Sequence, residues 1–150
     1  DLAKQGNPKA IRFPRALEGE TDFSFSGLKT SVLNYVRKLD HAELDAQMAD
    51  IAASFQAAVV DSLVNKTVGV VDQGDVDIQA VCLAGGVAAN QPLREALKAQ
   101  AEQRGLPFHC PSFQYCTDNA AMIGAVGVHR LSQGKVDNFE LDAVPRMSLC

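Results

Sequence analysis

No stretch of these 150 residues is long and apolar enough to cross a bilayer, and no charged, apolar, small-residue leader opens the sequence. The four cysteines, Cys82, Cys110, Cys116 and Cys150, show no Cys-x-x-Cys spacing. Reduced thiols in a cytoplasmic protein are therefore expected, rather than a disulfide framework. The three histidines, His41, His109 and His129, form no His-x2-His, His-x3-His or His-Glu-x-x-His pattern, so no histidine-based metal centre is legible. Neither G-x-G-x-x-G nor a Walker loop is present. A net charge of -4 and a pI near 5.3 give no basic stripe, which argues against the piece acting on its own as a nucleic-acid clamp. Internal repeats and low-complexity tracts are also missing.

What is present is enough for a folded body. With 47% hydrophobic residues the chain can bury one sizeable core, and one domain is the default. Residues 1–19, interrupted by Pro8 and Pro14, read as a linker or broken helix end, with residues 11–13 a candidate short strand. Ser26 is placed as the cap of a helix running to about Leu39, with Leu28, Val32, Tyr35 and Val36 as its apolar stripe. After a connector at residues 40–43, a long helix is expected to reach Gln73 and end at Gly74. Met48, Ile51, Ala52, Phe55, Ala58, Val59, Leu63, Val70 and Val71 keep helical spacing along it, while Val60, Val64 and Val68 widen the stripe. Such a face predicts burial on more than one side, by core packing before any partner surface. A strand at residues 78–84 follows, then a helix from Gln91 to Arg104 ended by Gly105, a short strand at 108–110, and a last helix over 119–133. Residues 135–150 read as a tail. Gly124, Ala125 and Gly127 in the last helix would permit close approach to a neighbour, since glycine in a helix interior otherwise costs about 0.5–1 kcal/mol.

Two segments carry candidate chemistry. In Leu83-Ala84-Gly85-Gly86-Val87-Ala88-Ala89-Asn90-Gln91-Pro92-Leu93-Arg94 an apolar strand meets a Gly-Gly turn and then a helix. Gly85 and Gly86 would let the backbone approach a ligand, Asn90 is a good N-cap and Pro92 suits a first turn. A nucleotide-contacting loop and a plain strand-to-helix turn both fit this pattern. In Phe113-Gln114-Tyr115-Cys116-Thr117-Asp118-Asn119-Ala120-Ala121-Met122-Ile123, a polar cluster opens a small-residue helix. Thr117 or Asp118 would serve as N-cap, or Asp118 as a carboxylate metal ligand, but one carboxylate does not make a site. His129 follows Asp118 by eleven residues, about 16 Å of helical rise, too far to share an ion. A surface histidine is the better reading.

These two segments, preceded by Phe23-Ser24-Phe25-Ser26-Gly27-Leu28-Lys29-Thr30, resemble in order the C-terminal half of the TsaD family. The resemblance runs from Arg12-Phe13-Pro14-Arg15 to Pro145-Arg146, leaving residues 40–47 and the extreme C-terminus nondescript. It implies an α/β fold: an incomplete lobe of the actin-like ATPase (ASKHA, ribonuclease H-like) architecture, with one long central helix. Residues 1–150 would be the C-terminal lobe of a two-lobe protein, with 135–150 its tail. The implied activity is transfer of the threonylcarbamoyl group from threonylcarbamoyl-adenylate to N6 of the adenosine adjacent to the anticodon, in tRNAs reading codons that begin with A. By the same resemblance Asn90 contacts the adenylate, Gly85 and Gly86 lie under its adenosine, and Asp118 ligates a divalent metal, Fe(2+) with zinc as the alternative. tRNA and the adenylate are the implied substrates, TsaB and TsaE the implied partners in bacteria, and the cytoplasm the implied location. Ser26, Gly27 and Lys29 lie in a family motif with no contact that spacing can derive.

The departures matter as much. The sequence has no His-x3-His pair and none of the family's upstream glycine-rich and aspartate motifs, starts at Asp1, and has Met48 as its first methionine. A fragment of a chain about twice as long is the expectation, inactive alone, because a lone aspartate cannot hold a divalent ion tightly against water. A catalytically silent adenine-nucleotide-binding relative is the alternative. A metallopeptidase, the family's older label, is argued against by the missing His-Glu-x-x-His and the missing base beside a histidine pair.

Overall fold

The computed structural model describes residues 2–15, 22–75 and 77–142. The expected features at residues 16–21 and 143–150, the Pro145-Arg146 end of the resemblance among them, lie outside the described residues.

Among the described residues, four α-helices and one small parallel sheet make up the α/β fold. Helix α1 spans Ser26–Val36 and α2 spans His41–Gln73. Strand β1 is Val81–Cys82, α3 is Gln91–Gln103, β2 is Phe108–His109, and α4 is Ala120–Ser132. The expected alternation of helix and strand after α1 is found, in order.

The 33 residues of α2 extend about 50 Å, and the rest of the core is arranged along this one rod. Its start lies earlier than the sequence reading placed it. Asp40 and Glu43 are not a connector but a capping box: Asp40 Oδ1 accepts from the Glu43 amide at 2.8 Å, and Glu43 Oε2 accepts from the Asp40 amide at 3.0 Å. Gly74 ends the helix at φ 70°, a left-handed conformation that glycine adopts without a Cβ penalty.

Both sides of α2 are buried, as its wide stripe predicts. On one side Phe13, Leu28, Ile51 and Ala58 form a core joined by Val32, Tyr35 and Val36 of α1. On the other, Val64, Leu93 and Leu97 pack with Leu83 and Phe108, which seats α3 and the sheet. The N-terminal segment is no linker. Phe13 is buried, with its ring edge-on to Tyr35 at 5.9 Å. Asn7 N–H donates to Asp50 Oδ1 at 2.7 Å, Ile11 N–H to Ser54 Oγ at 3.1 Å, and Ser54 Oγ back to the Asn7 carbonyl at 3.2 Å. Arg15 adds an ion pair to Asp61 at 2.5 Å. The chain runs so close that a Cβ on Gly6 would collide with the Ala49 carbonyl of α2.

Three further expectations are corrected. The strand expected over 78–84 shrinks to Val81–Cys82, because among the described residues only Phe108–His109 lies alongside to complete a ladder; Val81 pairs with Phe108 and Cys82 with His109. Cys82 points outward and is exposed, while Val81 is buried. Residues 11–13 form no strand. Ser26 does not cap α1: Phe25 holds the cap position with no side-chain bond, and Ser26 Oγ lies 3.2 Å from Ser24 Oγ.

Candidate ligand-binding site

The Gly-Gly turn after β1 and the polar loop before α4 meet at a cavity of about 680 Å³. Its walls include Gly85, Gly86, Tyr115, Thr117, Asp118 and Met122. Thus three of the four site residues proposed from the sequence share one cavity. Gly85 takes φ 80° and ψ -178°, a conformation essentially reserved for glycine, and the next four residues coil into a 3-10 turn, Gly86–Ala89. No atom lies within 4 Å of where a Cβ would stand on either glycine, so the backbone itself forms the open wall.

Asp118 is exposed on the cavity rim and, among the described residues, makes no hydrogen bond. It is not the cap of α4, and neither is Thr117. That role belongs to Asn119, whose backbone is extended at φ -152° and ψ 153° and whose Oδ1 accepts from the Met122 amide at 3.0 Å. Capping therefore leaves the Asp118 carboxylate unspent.

Asn90 lies elsewhere. It caps α3 as its position predicts, Oδ1 accepting from the Leu93 amide at 3.1 Å, and its Nδ2 donates to Gln56 Oε1 of α2 at 3.1 Å. It lines a second cavity with Phe55, Gln56 and Val87, not the one holding Gly85, Gly86 and Asp118. Both halves of its amide are engaged within the fold.

Residues 1–125 match the family described as TsaD, tRNA N6-adenosine threonylcarbamoyltransferase. The chain belongs to the TsaD family. Among curated relatives bearing the name tRNA N6-adenosine threonylcarbamoyltransferase, the protein of Geotalea uraniireducens is 48% identical over 146 residues, covering 96% of this chain and 42% of that protein. That of Caldicellulosiruptor saccharolyticus is 42% identical over 148 residues, covering 99% of this chain and 44% of its own length. The Moorella thermoacetica protein is 45% identical over 150 residues, with 99% and 43% covered. The chain thus spans under half the length of these TsaD relatives.

One residue that spacing did not single out ties the two loops of this cavity together. Arg94, in the second turn of α3, donates through Nε to the Ala88 carbonyl and through one terminal nitrogen to the Pro111 carbonyl at 2.8 Å and to Cys116 Sγ at 2.9 Å. Its guanidinium also stacks over the Phe113 ring, 4.6 Å from the centroid. The glycine turn and the loop bearing Asp118 are thereby fastened to one side chain. A signal was available: a cation close to a helix N-terminus opposes the helix dipole, so its presence calls for another partner. Cys116, almost wholly buried, is part of this fastening.

His129 is a surface residue, 3.0 Å from Gln133 one turn on. Among the described residues no three His, Cys, Asp or Glu side chains are grouped so as to hold a metal ion. Asp118 offers one carboxylate donor, which by itself does not make a divalent-metal centre. No helix among the described residues is long and apolar enough to cross a membrane.

Proposed function

We propose that this chain is the C-terminal lobe of a two-lobe actin-like ATPase fold that, as part of a complete enzyme, transfers a threonylcarbamoyl group from threonylcarbamoyl-adenylate to N6 of the adenosine beside the tRNA anticodon. Family membership supports the reaction class. The observation that supports the site is the single cavity shared by Gly85, Gly86 and Asp118. Its volume, about 680 Å³, falls within the roughly 300–1,000 Å³ usual for small-molecule sites. A side-chain-free glycine wall gives a planar base and its ribose a surface to lie against, with Tyr115 and Met122 among the other walls. Asn90 borders the neighbouring cavity with both halves of its amide engaged, so its contact with the adenylate, implied by the family resemblance, requires the Nδ2 bond to Gln56 to open and is secondary to the cavity at Gly85, Gly86 and Asp118.

Asp118 supplies one ligand to a divalent metal, iron with zinc as the alternative, and the remaining ligands come from outside these residues. When bound, such an ion supplies Lewis-acid polarisation of an acyl group. The chain's own contribution is to bind and orient: the glycines accept the nucleoside, Asn119 and Arg94 fix the loop that carries Asp118, and Asp118 presents its carboxylate. TsaB and TsaE as bacterial partners, and the cytoplasm as the location, belong to the same reading.

Calorimetric titration of adenosine monophosphate tests the cavity. Gly86 has no positive φ and nothing stands where its Cβ would go, so Gly86→Val folds normally but fills the wall. The expected result is an affinity loss of about tenfold or more, equivalent to about 1.4 kcal/mol. Equal affinity of variant and parent contradicts the assignment.

A further inference from the structure

The overall charge conceals an uneven distribution. Seven of the fourteen basic residues lie between Lys4 and Lys38, against four of the eighteen acidic ones in residues 1–38. Arg15 is held by Asp61, and Lys4 also has a partner. Arg12, Lys29, Arg37 and Lys38 form no ion pair among the described residues.

Two of these cations face one groove. Between residues 11–13 and the α1 surface lies a space of about 420 Å³, with Arg12 on one side and Thr30, Ser31, Asn34, Tyr35 and Lys38 on the other. Thr30, Ser31, Asn34 and Tyr35 keep helical spacing and form one face of α1 with hydroxyl and amide groups, and the ammonium of Lys38 follows two residues past the helix end. Gly27 and Thr30 of the Ser26-Gly27-Leu28-Lys29-Thr30 motif border this groove, and the cavity at Gly85 and Asp118 gives that motif no role. Tyr35 is committed by its hydroxyl, which donates to Gln47 Oε1 at 2.7 Å, and Phe13 is buried in the core. The nearest carboxylate in sequence, Asp40, is occupied in the capping box of α2.

We infer that this groove is a contact for the phosphate-ribose backbone of RNA, holding a stretch of the substrate tRNA away from the reacting adenosine; the inference rests on the proposed function for its choice of RNA. Paired cations with interspersed hydroxyl and amide groups suit phosphate oxygens and 2′-hydroxyls. Cations with hydroxyl and amide groups on a backbone track read shape and charge, not sequence. The concavity favours a strand or backbone ridge over a membrane plane.

The test is fluorescence anisotropy of a labelled tRNA transcript titrated with the chain over a salt series, with neither metal nor adenylate added. Arg12→Gln/Lys38→Gln is compared with Lys98→Gln/Lys135→Gln, which removes two cations from outside the groove, and circular dichroism checks that both variants fold as the parent does. Each phosphate contact contributes about one unit to the slope of log K against log[salt], so the first variant should lose about two units and bind roughly ten- to hundredfold more weakly near 0.1 M salt. The control pair should change little. The inference is overturned if the two pairs weaken binding equally, if the groove variant binds as the parent does, if the parent fails to bind tRNA at low salt, or if anionic phospholipid vesicles compete through the same residues as strongly as tRNA. Because no chemistry is measured, loss of binding in the groove variant stands even where the transferase reading fails. Conversely, unaltered binding leaves the adenosine cavity untouched.

Discussion

Helices α2 and α4 are both rich in apolar residues, yet among the described residues one is packed on two sides and the other on none. Ile51, Ala53, Ala58 and Val64 of α2 are buried, whereas α4 has no buried residue and exposes Met122, Ile123, Val126, Val128 and Leu131. Apolar content does not bury a helix; a complementary surface does, and α2 finds one in the N-terminal segment and α1, and another in α3. Helix α4 is held by local devices instead: the Asn119 cap, the contact between His129 and Gln133, and an ion pair from Arg130 to Asp137 at 3.8 Å. Thirteen residues so held are marginal as a helix in water, the more so with Gly124 and Gly127 inside it.

The largest expected contrast comes from cutting one leucine on each side. Leu93 is 1% exposed and Leu131 is 64% exposed. Leu93→Ala should cost about 2–5 kcal/mol through lost burial and the cavity left behind. Leu131→Ala should stay within about 0.5 kcal/mol. Urea midpoints of the two variants decide it, and equal losses would erase the distinction.

The same substitution at two glycines should have opposite signs. Gly6→Ala drives a methyl into the Ala49 carbonyl and should destabilise by about 1–3 kcal/mol. Gly124→Ala meets nothing within 4 Å and should stabilise α4 by about 0.5–1 kcal/mol, read as increased helicity and a higher thermal midpoint.

Arg94 joins the packed side to the open one. Arg94→Ala removes its three hydrogen bonds and should cost about 1–3 kcal/mol, with weaker adenosine monophosphate binding. Lysine cannot reproduce the forked geometry and should rescue little. A variant with unchanged amide exchange in residues 111–119 would show that the loop stands without it.

The smallest effect is a pH dependence at the far end of α2. Arg104 bonds both oxygens of Asp72, at 2.6 and 2.7 Å, and this hydrogen bonding, with the charge of Arg104, holds the Asp72 carboxyl below its ordinary value. The folded-state value is depressed, so the stabilisation is present above the ordinary aspartate value, near 3.9, and fades as pH falls through the lower folded value. Parent and Asp72→Asn should therefore differ slightly in urea midpoint at pH 7, less at high salt, and converge in acid.

What the sequence revealed follows the range of the interactions involved. The long helix, its end at Gly74, the Asn90 cap and the apolar stripe of α1 all follow from residues within a few turns of one another. The strand over 78–84 could not be sized, because its ladder depends on Phe108–His109. Phe13 was concealed between prolines whose local message is a linker, although its burial is decided by α2. In Thr117-Asp118-Asn119 all three side chains can cap. Backbone angles select Asn119, and that choice leaves Asp118 unspent at the cavity. The joining of Gly85, Gly86 and Asp118 spans more than thirty residues; the resemblance could imply it, but periodicity could not.

The most direct test is a backbone NMR titration of the chain with adenosine monophosphate. The account predicts that the amides of Gly85, Gly86 and Asp118 shift together along one binding curve while those of α4 beyond Val126 stay still. Shifts confined to one loop, or centred on the second cavity around Phe55 and Gln56, would contradict the claim that the two loops form a single adenosine site.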